Sequence, residues 1–188
     1  MSDSESDSDA ETAVILDHLP HGRSDDDRPQ YQKQPLAYAV STDEFRLVEL
    51  TLAADADLSI GDTVDLSADL IETARTVDYA DLSGGGQSEL EYVIEDVIEE
   101  NERRFVDFFN DARPITTRLH ALNLLPGIGK KLRNAILDER KRKPFESFEE
   151  LTDRVDGLHN PREVLADRIM EEIREEDLKY RTFARREE

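Results

Sequence analysis

The sequence contains no cysteine, which excludes a disulfide framework, thiolate chemistry and a cysteine-ligated zinc. Aromatic residues make up only 6% of the 188 positions, so most of them are expected in cores. No apolar run approaches the length of a membrane span. The start, MSDSESDSDAET, has neither the basic nor the apolar region of a signal peptide. A cytoplasmic protein without a membrane partner is expected. Lysine is scarce as well, six residues against eighteen arginines.

What is abundant is acid. The formal net charge is -21, and it is unevenly placed: residues 1–28 carry -7, residues 29–112 carry -15 and residues 146–188 carry -6. Residues 113–145, with nine basic and two acidic groups, carry +7. Acid spread over three segments, combined with few lysines, is read as solvation suited to a saline, halophilic cytoplasm rather than as a patch for a basic partner.

The chain divides by pattern. Residues 1–11 are nearly all Ser, Asp and Glu and cannot bury enough apolar surface to offset the entropy of ordering, so a disordered acidic tail is expected. TAVILD (Thr12 to Asp17), LAYAVS, EFRLVELTL and the stretch Asp62 to Leu66 read as short strands, with a further strand in residues 70–77. Together they predict a small β-barrel over residues 12–83. After the Ser83 to Gly86 break, Ser88 and Glu91 have capping-box spacing, and Leu90, Val93, Ile94, Val97 and Ile98 form one helical stripe. A connecting helix over residues 84–112 is expected.

From residue 113 to 178 the pattern is helix, glycine turn, helix, occurring twice, with a C-terminal tail over residues 179–188. Leu119 and Leu122 belong to the first helix and Leu132, Ala135 and Ile136 to the second. Ser147 with Glu150 caps the third, and Pro161 opens the fourth at its N1 position. The fold class expected is therefore α+β.

The basic island surrounds LLPGIGKKLRNAI, Leu124 to Ile136. A helix begins with backbone N–H groups that lack intrahelical partners, and its dipole places positive charge there. Gly127 and Gly129 leave no side chain to hold an anion away, Pro126 and Ile128 frame the turn, and Lys130 and Lys131 add mobile charge. This is chemistry for a phosphate. The spacing is not that of a P-loop, since the four residues between glycines and the Ser or Thr after lysine are missing.

Arg118 and Arg133 are placed on the two helices flanking the turn, where they extend a phosphate track or make structural ion pairs. Arg140, Lys141, Arg142 and Lys143 either join the basic surface or complement the C-terminal end of a helix dipole. His18 and His21 flank no ligand pattern, so no metal or other cofactor is expected.

LNLLPGIGKKLRNAI resembles the helix-hairpin-helix motif, and Gly157 to Asn160, including His159, resembles a second copy in which the pattern's second glycine is replaced. The resemblance implies a tandem helix-hairpin-helix unit gripping nucleic-acid backbone without reading sequence. More widely, VILDHLPHGR, ENERRFVDFFNDARPITTRLHALNLLPGIGKK and ERKRKPFESFEEL are similar to a haloarchaeal member of an uncharacterised archaeal family, DUF655-like and described as a predicted RNA-binding protein. That similarity implies an OB-like barrel before the tandem hairpins and favours RNA over DNA. The expectation is a nucleic-acid-binding protein without enzymatic activity. The alternative is a protein-interaction adaptor, with a protein as partner, and a nucleic-acid-processing enzyme is the least favoured.

Overall fold

The structure, a computed structural model, describes residues 11–185, so the acidic tail expected over residues 1–11 lies almost wholly outside it. Two compact units are present: one of residues up to Val93 together with the segment from Ala184, the other of Ile94–Phe183.

The first unit is built on five antiparallel strands, β1 (Thr12–Leu19), β2 (Leu36–Ser41), β3 (Leu47–Leu52), β4 (Thr63–Asp65) and β5 (Ile71–Thr76), in the order β4-β1-β2-β3-β5. Alternation places Ala13, Ile15, Ala37, Ala39, Val48 and Leu50 on one buried face.

The sheet cannot be flat. β4 and β5 occupy opposite edges, yet only residues 66–70 connect them, and such a link reaches about 20 Å. Its ends would stand about 28 Å apart across a flat sheet of this register. Curling removes the conflict, and Val64 from one edge strand and Ile71 from the other pack on the same core. The result is a half-barrel.

A bulge between Ile15 and Asp17 in β1 resets the alternation, so that Asp17 pairs with Tyr38 on the face away from that core. From there its Oδ2 accepts a hydrogen bond from Ser83 Oγ at 2.5 Å. Ser83 in turn caps α1 (Gly84–Glu100), its Oγ accepting from the Gly86 amide at 3.1 Å. The helix is therefore capped five residues before the Ser88 capping box expected from sequence. The glycine run is what makes this start possible: a Cβ on Gly85 would lie 3.1 Å from Asp17 Oδ2 and one on Gly86 3.2 Å from Ser83 Oγ.

The connecting helix expected over residues 84–112 is two helices. Asn101 donates from Nδ2 to the Val97 carbonyl at 2.8 Å, competing with the helical ladder, and α2 (Glu102–Asp111) begins just after it. The remaining helices are α3 (Lys130–Arg142), α4 (Phe148–Arg154) and α5 (Pro161–Arg174). Phe105, Phe109, Leu122, Ile136, Phe145, Leu151 and Ile169 are buried in the second unit. No helix among the described residues is long and apolar enough to cross a membrane.

The start of α4 follows its spacing, with Ser147 Oγ accepting from the Glu150 amide at 3.0 Å. Only the first helix of the duplicated pattern differs in kind. Leu119 lies outside any helix, and Leu122 belongs to a single 3-10 turn, Ala121–Leu124.

Candidate nucleic-acid interface

The turn between the 3-10 segment and α3 is specified by Leu125-Pro126-Gly127-Ile128. The Ile128 amide donates to the Leu125 carbonyl at 3.2 Å, and Gly127 takes φ +81°. Proline at the second turn position and a left-handed residue at the third are the requirements of a type II turn. Leu125 and Ile128 are buried and anchor it, while Pro126, Gly127, Gly129, Lys130 and Lys131 are exposed.

A Cβ placed on Gly127 or Gly129 would meet nothing within 4 Å. The first amide of α3 with a recorded partner is that of Arg133, which donates to the Gly129 carbonyl at 3.0 Å. Among the described residues, the amides of Gly127, Gly129, Lys130, Lys131 and Leu132 have no recorded acceptor. Several unpaired donors at the positive end of a helix, bare of side chains at two positions, can donate to an anion's oxygens.

The turn is braced from within. Asn123 Nδ2 donates to the Ile128 carbonyl at 3.0 Å, and Arg133 Nη1 donates to Asn123 Oδ1 at 3.0 Å. Arg133 is thus a brace behind the turn. Arg118, expected on a helix, instead sits in an exposed turn whose Thr116 Oγ1 accepts from the Arg118 and Leu119 amides at 3.2 and 3.0 Å. The bridge between Pro114 and His120 closes that turn.

The cluster Arg140 to Lys143 separates into different roles. Arg140 Nη1 donates to the carbonyls of Phe109 and Ala112 at 3.1 and 2.8 Å, closing the end of α2. Arg142 pairs with Glu139 at 3.3 Å, while Lys141 and Lys143 are exposed and have no ion pair among the described residues.

Arginines from elsewhere close two further helices. Arg154 Nη2 donates to the Glu139 and Lys143 carbonyls at 2.6 and 2.7 Å, at the end of α3. Arg181 does the same for Glu172, Glu175 and Glu176 at the end of α5. These C-termini lack a left-handed glycine, their cap residues being extended, and guanidinium donors take its place. This use of arginine escapes a reading by charge counting.

The second turn repeats the first in backbone. Gly157 has φ +92°, the Leu158 amide donates to the Val155 carbonyl at 3.3 Å, and Val155 and Leu158 are buried as Leu125 and Ile128 are. Its surroundings differ. Asn160 and Pro161 stand where Lys130 and Lys131 do in the first turn, the exposed His159 takes the place of Gly129, Pro161 supplies no amide, Asp156 and Glu163 add acid, and Arg162 is paired with Glu99 at 2.9 Å. An anion is far better served at the first turn.

His120 links the brace to pH. It is buried, and its Nδ1 accepts the Leu122 amide at 3.1 Å, capping the 3-10 turn. Burial, then the charges of Arg140 and Arg133, holds its pKa below the ordinary 6.5. As pH falls below that unfolded value, the unfolded chain takes up a proton that the folded chain resists, so stability is lost. The expected result is a lower melting temperature at about pH 5.5 than at about pH 7.5, flattened in His120→Asn, which keeps a cap without the titration. Equal pH profiles for the parent and His120→Asn would remove this role.

Fold and site together define an α+β protein with a curled five-stranded sheet and a basic glycine turn. The chain belongs to the family described as "Protein of unknown function (DUF655)", whose model matches residues 9–185. It is 36% identical over 178 residues to an uncharacterized protein of Methanocaldococcus jannaschii, covering 92% of this chain and 79% of that relative. Among solved structures it is similar to a family member from Archaeoglobus fulgidus, at 40% identity and a TM-score of 0.86, covering 93% of this chain and 99% of the other.

Proposed function

We propose that this protein binds nucleic acid through the phosphate backbone, with the turn Pro126–Lys131 as the clamp. The observation that carries the proposal is the set of amides without an acceptor at Gly127, Gly129, Lys130, Lys131 and Leu132, beside two exposed lysines without ion pairs among the described residues. Arg113, Arg118, Lys141 and Lys143 are the other exposed cations of the basic island without an ion pair among the described residues, available to a polyanion. Arg133 braces the clamp from behind, Arg140 closes the end of α2, and Gly157 with His159 forms a second turn of the same shape but weaker charge.

In this proposal the half-barrel is OB-like, the helical unit is a tandem helix-hairpin-helix whose first helix is reduced to a 3-10 turn, and the ligand is RNA ahead of DNA. The protein acts by binding, in a saline cytoplasm, and not as an enzyme. Counterion release weakens as salt rises, each duplex phosphate contributing a slope of about -0.9 in log affinity against log salt. Directional amide hydrogen bonds suit such a setting better than a lysine patch does.

The test is titration of labelled structured RNA and duplex DNA with the purified chain over a salt series. Saturable binding that persists at high salt with a shallow slope is expected. No binding of either ligand at any salt, together with a protein partner that survives nuclease treatment in a pull-down, would replace the proposal with the adaptor alternative.

A further inference from the structure

A second contact surface lies next to the clamp, in the loop that precedes its 3-10 turn. Forty-five of the 188 residues are acidic, yet none of the 26 from Ala112 to Leu137 is. That run holds the loop Arg113–Leu119, the 3-10 turn, the glycine turn and the first two turns of α3. In a chain otherwise solvated by carboxylates, it is the stretch that does not repel a polyanion.

The loop is fixed at its base. The Leu119 carbonyl accepts the amides of Ile115 and Thr116 at 2.7 and 3.0 Å, and the Ala121 amide donates to the Arg113 carbonyl at 3.0 Å. Thr116 Oγ1 takes the amides of Arg118 and Leu119. Arg140 holds the Ala112 carbonyl just before the loop at 2.8 Å. A backbone ordered in this way loses little further entropy on binding.

Its side chains are left open. Arg113, Ile115, Thr117 and Arg118 are exposed, and neither arginine nor Thr117 has a side-chain partner among the described residues. Ile115, at 37%, is the one exposed large hydrophobic of the helical unit among the described residues. An aliphatic group between two unpaired arginines suits a surface that offers apolar and anionic groups together, as the sugars and phosphates of a nucleic acid do.

The same stretch offers no ring to an unpaired base. Phe145 is the single Phe, Tyr or Trp of residues 113–145 and is 0% exposed, and His120 is buried. Single strands are held by stacking on aromatic side chains, whereas a double helix keeps its bases stacked on one another. In the A-form helix of RNA, the accessible groove is the wide, shallow minor groove lined with 2′-hydroxyls. From His120 to Leu125 the 3-10 rise carries the chain about 10 Å. The base of the loop is thus separated from the clamp on the scale of a nucleic-acid groove, about 6–12 Å in B-form DNA.

We propose that the loop Arg113–Leu119 lies in the shallow groove of a double-stranded RNA whose backbone is seated at the glycine turn. Ile115 packs on the sugars, the Thr117 hydroxyl meets their 2′-hydroxyls, and Arg113 and Arg118 reach the phosphates. The inference rests on the reading of the turn as a phosphate clamp and adds a substrate class to it, paired RNA.

The test is fluorescence anisotropy of the full chain with a short duplex RNA, a duplex DNA of the same sequence and an unstructured single-stranded RNA, each over a salt series. Duplex RNA should bind tightest. Arg113→Gln with Arg118→Gln should weaken its binding by about 10- to 100-fold and reduce the salt slope by about 2. Ile115→Ala should weaken it by about three- to ten-fold with the slope unchanged, the mark of an apolar contact. Thr117→Val should narrow the preference for RNA over DNA. All these side chains are exposed, so the variants should melt close to the parent. The proposal is overturned if the single strand or the duplex DNA binds as tightly as the duplex RNA. It is also overturned if the loop variants bind duplex RNA as the parent does while Gly129→Val loses it, and the clamp then stands alone. Loss in the loop variants with full binding in Gly129→Val removes the clamp reading and keeps the loop contact. Unchanged binding in both sets removes both.

Discussion

Gly129→Val should lower affinity for structured nucleic acid by about 10- to 100-fold, since a hydrogen bond to a charged group contributes about 1.5–3 kcal/mol, while costing the fold only the roughly 0.5–1 kcal/mol of a poorer N-cap residue on α3. The fold has room for the change: Gly129 has φ -87° and ψ -168°, ordinary extended backbone, and an added Cβ meets nothing within 4 Å. The side chain would stand where an anion must sit. Gly127→Val acts differently, because φ +81° places a β-branched residue in the left-handed region at a cost of about 1–2 kcal/mol. It should reduce both binding and stability. The pair of variants therefore separates loss of the seat from loss of the turn. Unchanged affinity in Gly129→Val, measured by fluorescence anisotropy alongside calorimetry, would show that the exposed amides are not the clamp.

Much of the architecture was legible because local signals agreed with the tertiary solution. β-branched runs with alternating burial became β1 to β3, and the stripe from Leu90 to Ile98 is buried along its length. The position of the glycine turn was legible too, since proline and two glycines interrupt the helical pattern there. The cap of α1 was not, because Ser88 and Glu91 look like a cap when the acceptor that holds the true capping residue Ser83, Asp17, lies 66 residues before it. The first hairpin helix failed for a similar reason. Leu119 and Leu122 have helical spacing, but Thr116 Oγ1 and His120 Nδ1 take the amides that a helix would use.

Charge was the least readable signal at the candidate site. The +7 island contains nine cations, yet Arg133 and Arg140 serve as internal donors and Arg142 is paired. Sequence spacing cannot show which guanidinium will find an orphan carbonyl, because those carbonyls belong to helix ends 28 to 31 residues away, as at Phe109 and Ala112 for Arg140. The bare lysines stand out only after the arginines have been assigned.

Glu172→Ala should destabilise the helical unit by about 3–5 kcal/mol, the cost of breaking a buried ion pair from one side. Glu172 is 0% exposed on α5. Its Oε2 accepts from Arg168 Nε at 2.9 Å, and its Oε1 accepts from the amides of Thr182 and Phe183 at 2.7 and 2.8 Å. Arg168 also donates to the Tyr180 carbonyl at 2.7 Å, so one buried pair holds the segment Tyr180–Phe183 against the helix. That segment delivers Phe183 to Phe105 and Phe108, with ring centroids 6.1 and 5.0 Å away. Alanine leaves a buried guanidinium without its carboxylate and strips two amides of their acceptor, so the strap and its aromatic anchor should be released together. With two compact units, unfolding need not be two-state, and calorimetry should show the transition of the helical unit moving down by about 10–25 °C while the half-barrel's transition moves less. Proteolysis after residue 174 should accelerate in parallel. Arg168→Met with Glu172→Met, which removes both charges and fills the space, should recover much of the loss because no uncompensated charge stays buried. If the single and double variants melt alike, the strap is held by packing and the buried pair is incidental to it.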